Sequence, residues 1–112
     1  MAIVEPGVIA TPIFGKLQPP PADSKYPHKR RIVELFRTSL DNPVSPYVVG
    51  EKIREVVESG TWKLRHPVGP DAEGLLTWRA SMSDEEWVEW GAISDEQLVE
   101  YVRQNFNLNV SL

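Results

Sequence analysis

The fold of this chain is decided by the stretch Ala2-Ile3-Val4-Glu5-Pro6-Gly7-Val8-Ile9-Ala10-Thr11-Pro12. Its β-branched pair Ile3-Val4 predicts a buried strand, and Pro6-Gly7 ends that strand in a turn. The apolar residues here do not alternate with polar ones, which is typical of strands covered on both faces in parallel sheets. Open α/β sheets bind their ligands just beyond the carboxyl ends of their strands. The residues from Pro6 to Thr11 are therefore the first candidate for a functional site.

The rest of the sequence predicts one more strand with helices before and after it. The predicted elements are a helix over 29–40, a helix started by Ser45-Pro46 and ended by Gly60, a strand over 61–68, a helix over 71–82, and short helices opened by the capping boxes Ser83/Glu86 and Ser94/Gln97, with a tail from 107 to 112. Two strands joined by helical crossovers are expected to be parallel, so the order predicts an α/β fold. A two-stranded parallel sheet is smaller than such sheets normally are, so we also expect an exposed strand edge or a homo-oligomer.

Composition bounds the class of protein. The 112 residues are 41% hydrophobic and 25% charged, which is one globular domain's worth of ordinary sequence. Cysteine is absent and there are two histidines, so neither a disulfide nor a metal site is expected. No apolar run approaches the ~20 residues of a membrane helix, so no membrane association is expected. The lack of cysteines and of a signal peptide favours a cytoplasmic location.

Charge is distributed unevenly along the chain. Residues 1–70 carry ten Lys/Arg and seven Asp/Glu, whereas residues 71–112 carry two Lys/Arg and nine Asp/Glu. The acidic end would repel phosphates, so nucleic acid is not expected as a partner. The basic run His28-Lys29-Arg30-Arg31 is interpreted as a solvated helix start, with a phosphate contact as the alternative.

Two segments carry a resemblance to a known family. Val4-Glu5-Pro6-Gly7-Val8-Ile9-Ala10-Thr11 resembles the Pro-Gly-x-(Ile/Val)-x-Thr segment after the sixth strand of short-chain dehydrogenases/reductases (SDRs). Arg65-His66-Pro67-Val68-Gly69 resembles the seventh strand of that family, which often reads Arg-Tyr-Pro-Val-Gly. The resemblance implies the C-terminal part of a Rossmann-type doubly wound parallel sheet. It covers residues 1–82, and residues 83–112 are then an acidic helical extension.

The resemblance also implies a partial binding site for NAD or NADP. The backbone of Ile9 would contact the nicotinamide carboxamide, the Thr11 side chain would add a hydrogen bond, and Pro6-Gly7 would shape the turn. Ile13 and Phe14 would begin the loop that covers a small-molecule substrate. From the residues alone a simpler interpretation stays open, in which Pro6-Gly7 only ends the strand and Thr11 caps a turn. For Phe14 the favoured interpretation is an anchor of the loop.

Two motifs of the family are missing from this sequence. There is no Gly-rich turn of the kind that binds a pyrophosphate, such as G-x-G-x-x-G. The family also needs a Tyr-x-x-x-Lys pair, but Tyr26 is followed at that spacing by Arg30, Tyr47 by Glu51 and Tyr101 by Asn105. The expectation is therefore a fragment that lacks catalytic residues and is inactive alone, taken from an enzyme that transfers a hydride between NAD(P) and an alcohol or carbonyl carbon.

A non-catalytic interaction module is the alternative function. Trp87 and Trp90 are three residues apart on a predicted helix, where they form either an apolar seam or an exposed patch that binds a partner. The acidic run Asp84-Glu85-Glu86 precedes them. It is interpreted as a first helical turn favoured by the helix dipole, with a cation site as the alternative.

Overall fold

Two short strands pair in parallel in a computed structural model that describes residues 1–26 and 28–112. Strand β1 (Ile3–Pro6) lies beside β2 (Arg65–Val68), with Ile3 opposite Arg65 and Pro6 opposite Val68. The prediction of two parallel strands is confirmed. Among the described residues the fold is mixed α/β, with five α-helices and this one sheet.

The helices begin and end close to the residues predicted for them. They are α1 (Lys29–Ser39), α2 (Pro46–Ser59), α3 (Ala72–Ala80), α4 (Asp84–Gly91) and α5 (Asp95–Phe106), with a 3-10 turn at Pro12–Lys16. At the start of α2 the Ser45 hydroxyl accepts a hydrogen bond from the Tyr47 N–H, and Pro46 occupies the first helical position. Gly60 ends α2 in the left-handed conformation with φ of 60°. In the part of the chain that the structure describes, no helix is both long and apolar enough to cross a membrane.

Strand β2 is shorter than predicted. The alternation of Trp62, Leu64 and His66 predicts a strand from 61 onward, but only Arg65–Val68 is strand and Trp62 is 100% exposed. A strand needs a partner for its backbone groups, and β1 supplies only four residues. The first backbone contact between the two segments is the hydrogen bond from the Ile3 N–H to the Leu64 carbonyl, at 2.7 Å.

The outer edge of β2 carries a proline. The N–H groups of Ile3 and Gly7 donate to the carbonyls of Leu64 and Val68, so these two residues direct their backbone groups toward β1. Successive residues of a strand alternate in this direction, so the backbone groups of Pro67 point away from β1. Proline has no N–H to donate and is confined to such edge positions. By the same alternation the outer edge of β1 carries Val4 and Pro6, so each strand presents one proline on the edge that faces away from its partner.

The chain divides into two compact units, each with its own buried residues. The sheet unit comprises Met1–Thr11 and Pro43–Ser83, and it buries the side chains of Ile9, Val68 and Ala72. The helical unit comprises Pro12–Asn42 and Asp84–Leu112. Its core is built on Leu98, Val102 and Val110, and the partly buried apolar residues around it are Leu35, Trp90, Ile93, Phe106, Leu108 and Leu112. The segment from 107 to 112, predicted as a tail, thus contributes to this core.

The basic run at the start of α1 is not uniformly solvated. His28, Lys29 and Arg30 are exposed as predicted, but the prediction is wrong for Arg31, which is only 9% exposed. Its guanidinium bonds to Asp95 and to the Ile93 carbonyl, both 62 or more residues away along the chain. A buried guanidinium that is already paired is not free to contact a phosphate.

Replacing Ser94 with alanine is expected to lower the free energy of unfolding of the helical unit by about 1 kcal/mol. The Ser94 hydroxyl accepts a hydrogen bond from the Gln97 N–H, and the Gln97 side chain accepts one from the Ser94 N–H, which completes a capping box. The Ser94 hydroxyl also holds the pKa of Glu96 below its usual value. In Ser94→Ala that pKa should rise toward the ordinary value, which a side-chain NMR titration measures. Ser111→Ala, at an exposed position outside the helix, is the control and should change neither quantity.

Candidate functional site

The carboxyl ends of β1 and β2 meet at one edge of the sheet, where each strand is followed by a glycine. Gly7 follows β1, and Gly69 follows β2 in a left-handed conformation with φ of 97°. The Gly7 N–H donates to the Val68 carbonyl at 3.0 Å, which extends the strand pairing into the turn. The predicted site residues Pro6 and Gly7 therefore lie at the edge where an open α/β sheet binds ligands.

The Asp71 carboxylate lies against this turn. Its Oδ2 accepts a hydrogen bond from the Val8 N–H at 2.8 Å. A Cβ atom placed on Gly7 would overlap Asp71 Oδ1 and Cγ and would lie 2.6 Å from Asp71 Oδ2. Glycine is required at position 7 because the carboxylate fills the space of a side chain, and not because of a left-handed backbone.

Ile9 combines a buried side chain with backbone groups that make no hydrogen bond to the described residues. The side chain is 9% exposed and lies near Gly69, with Cδ1 3.7 Å from where a Cβ of that glycine would be. The N–H groups around it are all used, since those of Gly7 and Val8 bond as above and the Ala10 N–H donates to the Val44 carbonyl at 2.9 Å. No such bond involves the Ile9 N–H or C=O in residues 1–26 and 28–112. Thr11, which ends this segment, is half-buried.

Ile13 and Phe14 belong to the helical unit. They lie in the 3-10 turn Pro12–Lys16, with Ile13 exposed and Phe14 half-buried. The Phe14 ring packs on Phe36 of α1, with the ring centroids 5.6 Å apart. This contact fits the interpretation of Phe14 as an anchor of its loop, and the role of both residues toward a substrate stays a prediction.

A groove of about 500 Å³ runs beside the sheet between α2 and β2. It is lined by Tyr47, Lys52 and Glu55 of α2 and by Pro67 and Gly69. The Lys52 ammonium donates to Glu55 at 2.7 Å, and this bond together with its charge holds the pKa of the Glu55 carboxyl below its usual value. Glu51, which also lines the groove, is paired with Arg54 at 2.6 Å, so both carboxylates of the groove have a cationic partner.

The two histidines lie in different units. His66 is buried, with its Nε2 atom 2.9 Å from the Lys63 carbonyl, so a local hydrogen bond accounts for its polarity. His28 is exposed at the start of α1 in the other unit. Within residues 1–26 and 28–112, no three His, Asp or Glu side chains are grouped so as to hold a metal ion.

Asp71 was missed by sequence analysis, although its type and position are informative. An aspartate directly before a helix predicts a cap for that helix, and nothing in the local sequence indicates a partner 63 residues upstream. The available signal is the pair of glycines that follow the two strands. A glycine after a strand indicates either a turn or a close approach by another group, and only the structure, where Gly7 has no positive φ, decides for the close approach.

Comparison of this chain with family models, with curated proteins and with solved structures found no match. The assignment of this edge to a function therefore depends on the residues and the geometry described above.

Proposed function

We propose that the sheet unit is the part of a short-chain dehydrogenase/reductase that contacts the nicotinamide end of NAD or NADP. The observation that carries this proposal is the backbone of Ile9, which makes no hydrogen bond to the described residues although both neighbouring N–H groups are used. The resemblance assigns this same residue to the nicotinamide carboxamide. A primary carboxamide has one carbonyl acceptor and one NH₂ donor, which match a free N–H and a free C=O.

Two further observations support the same proposal. β1 and β2 are parallel neighbours, as consecutive strands of a Rossmann-type doubly wound sheet would be. Pro6-Gly7 lies at their carboxyl edge and Thr11 is half-buried in the same unit.

The cofactor supplies hydride transfer when it is bound to the intact enzyme. In this proposal the sheet unit binds and orients one end of that cofactor, with Pro6, Gly7, Ile9 and Thr11 as the contacting residues. The small-molecule substrate, the Gly-rich turn and the Tyr-x-x-x-Lys pair belong to the intact enzyme, of which residues 1–82 are the C-terminal part. The chain alone is expected to be inactive.

A titration with two matched nucleotides tests this proposal. Nicotinamide mononucleotide carries the carboxamide, and nicotinic acid mononucleotide carries a carboxylate that cannot donate a hydrogen bond. We expect the first to shift the amide NMR signals of Ile9 and Thr11 in the full chain, with a Kd on the order of 1 mM because few contacts are made. Thr11→Val should weaken this binding by roughly 3- to 10-fold, the loss expected for one hydrogen bond, while Thr61→Val at an exposed position should not.

Equal shifts with both nucleotides, or none at Ile9 and Thr11, would overturn the nicotinamide assignment. The DNA sequence upstream of Met1 provides a separate test of the fragment hypothesis. A reading frame that continues upstream and encodes a Gly-rich turn and a Tyr-x-x-x-Lys pair is the expected result. An in-frame stop codon directly upstream would contradict it.

A second candidate function, a protein-interaction module, is favoured by the exposed surface of α4. Trp87 is 37% exposed and Val88 is 70% exposed, and acidic residues precede and follow them on the same helix. Trp90, by contrast, packs against the core of the helical unit and stacks on Trp87 with ring centroids 5.4 Å apart. A partner with basic and apolar side chains would match such a surface.

Binding of a Lys/Leu amphipathic peptide tests this second candidate. Fluorescence anisotropy of the labelled peptide should show saturable binding to the full chain that Val88→Ser weakens several-fold. Val48→Ser, at an exposed valine of the other unit, is the matched control. Binding that is unaffected by Val88→Ser and disappears at moderate salt would be charge attraction alone, and would contradict a specific patch.

A further inference from the structure

Asp71 occupies the capping position of α3 without capping it. Its backbone is already helical, with φ of −94° and ψ of −23°, and its side chain makes no capping hydrogen bond. Ser45 and Ser94, by contrast, precede their helices in extended conformations and do cap them. An aspartate ordinarily stabilises a helix by capping, so the Asp71 carboxylate is used for another purpose.

The carboxylate is used by the turn after β1. Asp71 Oδ2 holds the Val8 N–H at 2.8 Å, a bond that its charge strengthens. Asp71 Oδ1 is buried against Gly7 and Gly69 and has no hydrogen-bond partner among the described residues. A buried carboxylate oxygen without a partner costs free energy, so this placement is not explained by stability alone.

The hydrogen bond to Val8 lies one residue before the proposed contact at Ile9. The segment from Gly7 to Ala10 is held at three N–H groups, by the carbonyl of Val68, the carboxylate of Asp71 and the carbonyl of Val44. Of these three acceptors, only Asp71 is a side chain. A side chain, unlike a backbone carbonyl, can be replaced by mutation. Asp71 holds the N–H of Val8, and the next peptide group along the chain is the one that carries the Ile9 N–H.

We infer that Asp71 is a positioning residue for the nicotinamide site. Its carboxylate fixes the turn at Gly7 and Val8 so that the N–H and C=O of Ile9 are held ready for a carboxamide. This inference rests on the proposed function. Asp71 itself does not touch the cofactor in this account and acts through the backbone of Val8 and Ile9.

Substitutions of Asp71 in the full chain test this role with two independent measurements. The first is amide hydrogen exchange at Val8, which needs no ligand. The second is the Kd for nicotinamide mononucleotide, read from the Ile9 and Thr11 amide signals. Asp71→Ala removes the acceptor, Asp71→Asn keeps an amide oxygen for the Val8 N–H, and Glu73→Ala removes one exposed carboxylate from the first turn of the same helix.

We expect Asp71→Ala to speed exchange at Val8 by about tenfold or more, as loss of a charge-assisted hydrogen bond implies. It should also weaken nucleotide binding by at least threefold. Asp71→Asn should restore both quantities most of the way toward wild type, and it keeps the test decisive if Asp71→Ala fails to fold. Glu73→Ala should leave both unchanged, which separates the hydrogen bond from a general effect of charge.

The outcomes distinguish this inference from the proposed function. If Asp71→Ala speeds exchange at Val8 but binds the nucleotide with wild-type affinity, Asp71 is structural and the positioning role is overturned. The same holds if Asp71→Asn loses as much binding as Asp71→Ala. If the wild-type chain itself gives no carboxamide-dependent shift at Ile9, the proposed function fails, and the role of Asp71 in that site fails with it.

Discussion

Gly7→Ala is expected to lower the free energy of unfolding of the sheet unit by about 2–3 kcal/mol. The added Cβ would overlap Asp71 Oδ1 and lie 2.6 Å from Asp71 Oδ2, well inside any van der Waals contact. The overlap is removed only if the Asp71 carboxylate rotates away, and this rotation breaks its hydrogen bond to the Val8 N–H. The Asp71 side chain is short and packed between two glycines, so it cannot move without losing this hydrogen bond. The Val8 N–H is then left without a protein acceptor.

Amide hydrogen exchange at His66 and Val68 in β2 measures this effect within the sheet unit. The matched control is Gly74→Ala in α3, where a Cβ would meet no atom within 4 Å. That substitution should stabilise the helix by about 0.5–1 kcal/mol, since alanine is the better helix former. A loss in Gly7→Ala no larger than the change in Gly74→Ala would contradict the packing argument.

A double substitution separates the clash from other effects of alanine at position 7. Once Asp71→Ala has removed the carboxylate, the three atoms that the Cβ added at position 7 would approach most closely are gone. Gly7→Ala should therefore cost much less in the Asp71→Ala background than in the wild type, a coupling that a double-mutant cycle measures. Strict additivity of the two losses would indicate that they act independently.

The elements with local signals were predicted closely from sequence. The capping serine and the proline of Ser45-Pro46, with Gly60 at the other end, bound α2 within the residues expected. The capping box of Ser94 and Gln97 is likewise formed. Such signals are carried by residues within four positions of one another, so the chain around them determines the structure almost without help from the rest of the fold.

The errors come from contacts between residues far apart in sequence. The alternation from Trp62 onward is a strand pattern, but a strand exists only where β1 offers partner groups, and it offers four residues. In the candidate site, Pro6, Gly7 and Ile9 were placed correctly at a strand exit by their local pattern. Asp71 was not found, because its partner Val8 is 63 residues away and its local pattern predicts a helix cap instead.

Arg31 presents the same problem in the helical unit. A basic residue in a run of basic residues at a helix start is ordinarily solvated, and nothing within α1 indicates otherwise. The guanidinium is nevertheless buried, because the segment from Gly91 to Asp95 supplies two carbonyls and a carboxylate at the matching positions. The three nitrogens of the planar guanidinium each bond one of these acceptors, whereas the donors of a lysine all share one nitrogen.

Arg31→Ala is expected to destabilise the helical unit by about 2–3 kcal/mol. The side chain donates from Nε to Asp95 at 2.6 Å and from its Nη atoms to the carbonyls of Ile93 and Gly91 at 2.8 and 3.4 Å. Removing one partner of a fully buried ion pair costs about 3–5 kcal/mol. In Arg31→Ala the Asp95 carboxylate, which is 49% exposed, is hydrated by solvent, so the expected loss is smaller than for a fully buried ion pair. Most of the loss comes from the two carbonyls left without a donor and from the lost packing of the arginine side chain.

Exchange of the buried Leu98 and Val102 amides in α5 measures this loss where the core of the helical unit lies. Arg30→Ala removes the same side chain from the neighbouring exposed position and should change stability by no more than about 0.5 kcal/mol. Asp95→Ala should cost about as much as Arg31→Ala, because it leaves the guanidinium of Arg31, whose side chain is only 10% exposed, without its counter-charge. Arg31→Lys should rescue little, since an ammonium cannot reproduce the fork. Were Arg31→Lys to restore full stability, charge alone would account for Arg31, and the geometry of the guanidinium would be irrelevant to the fold of this unit.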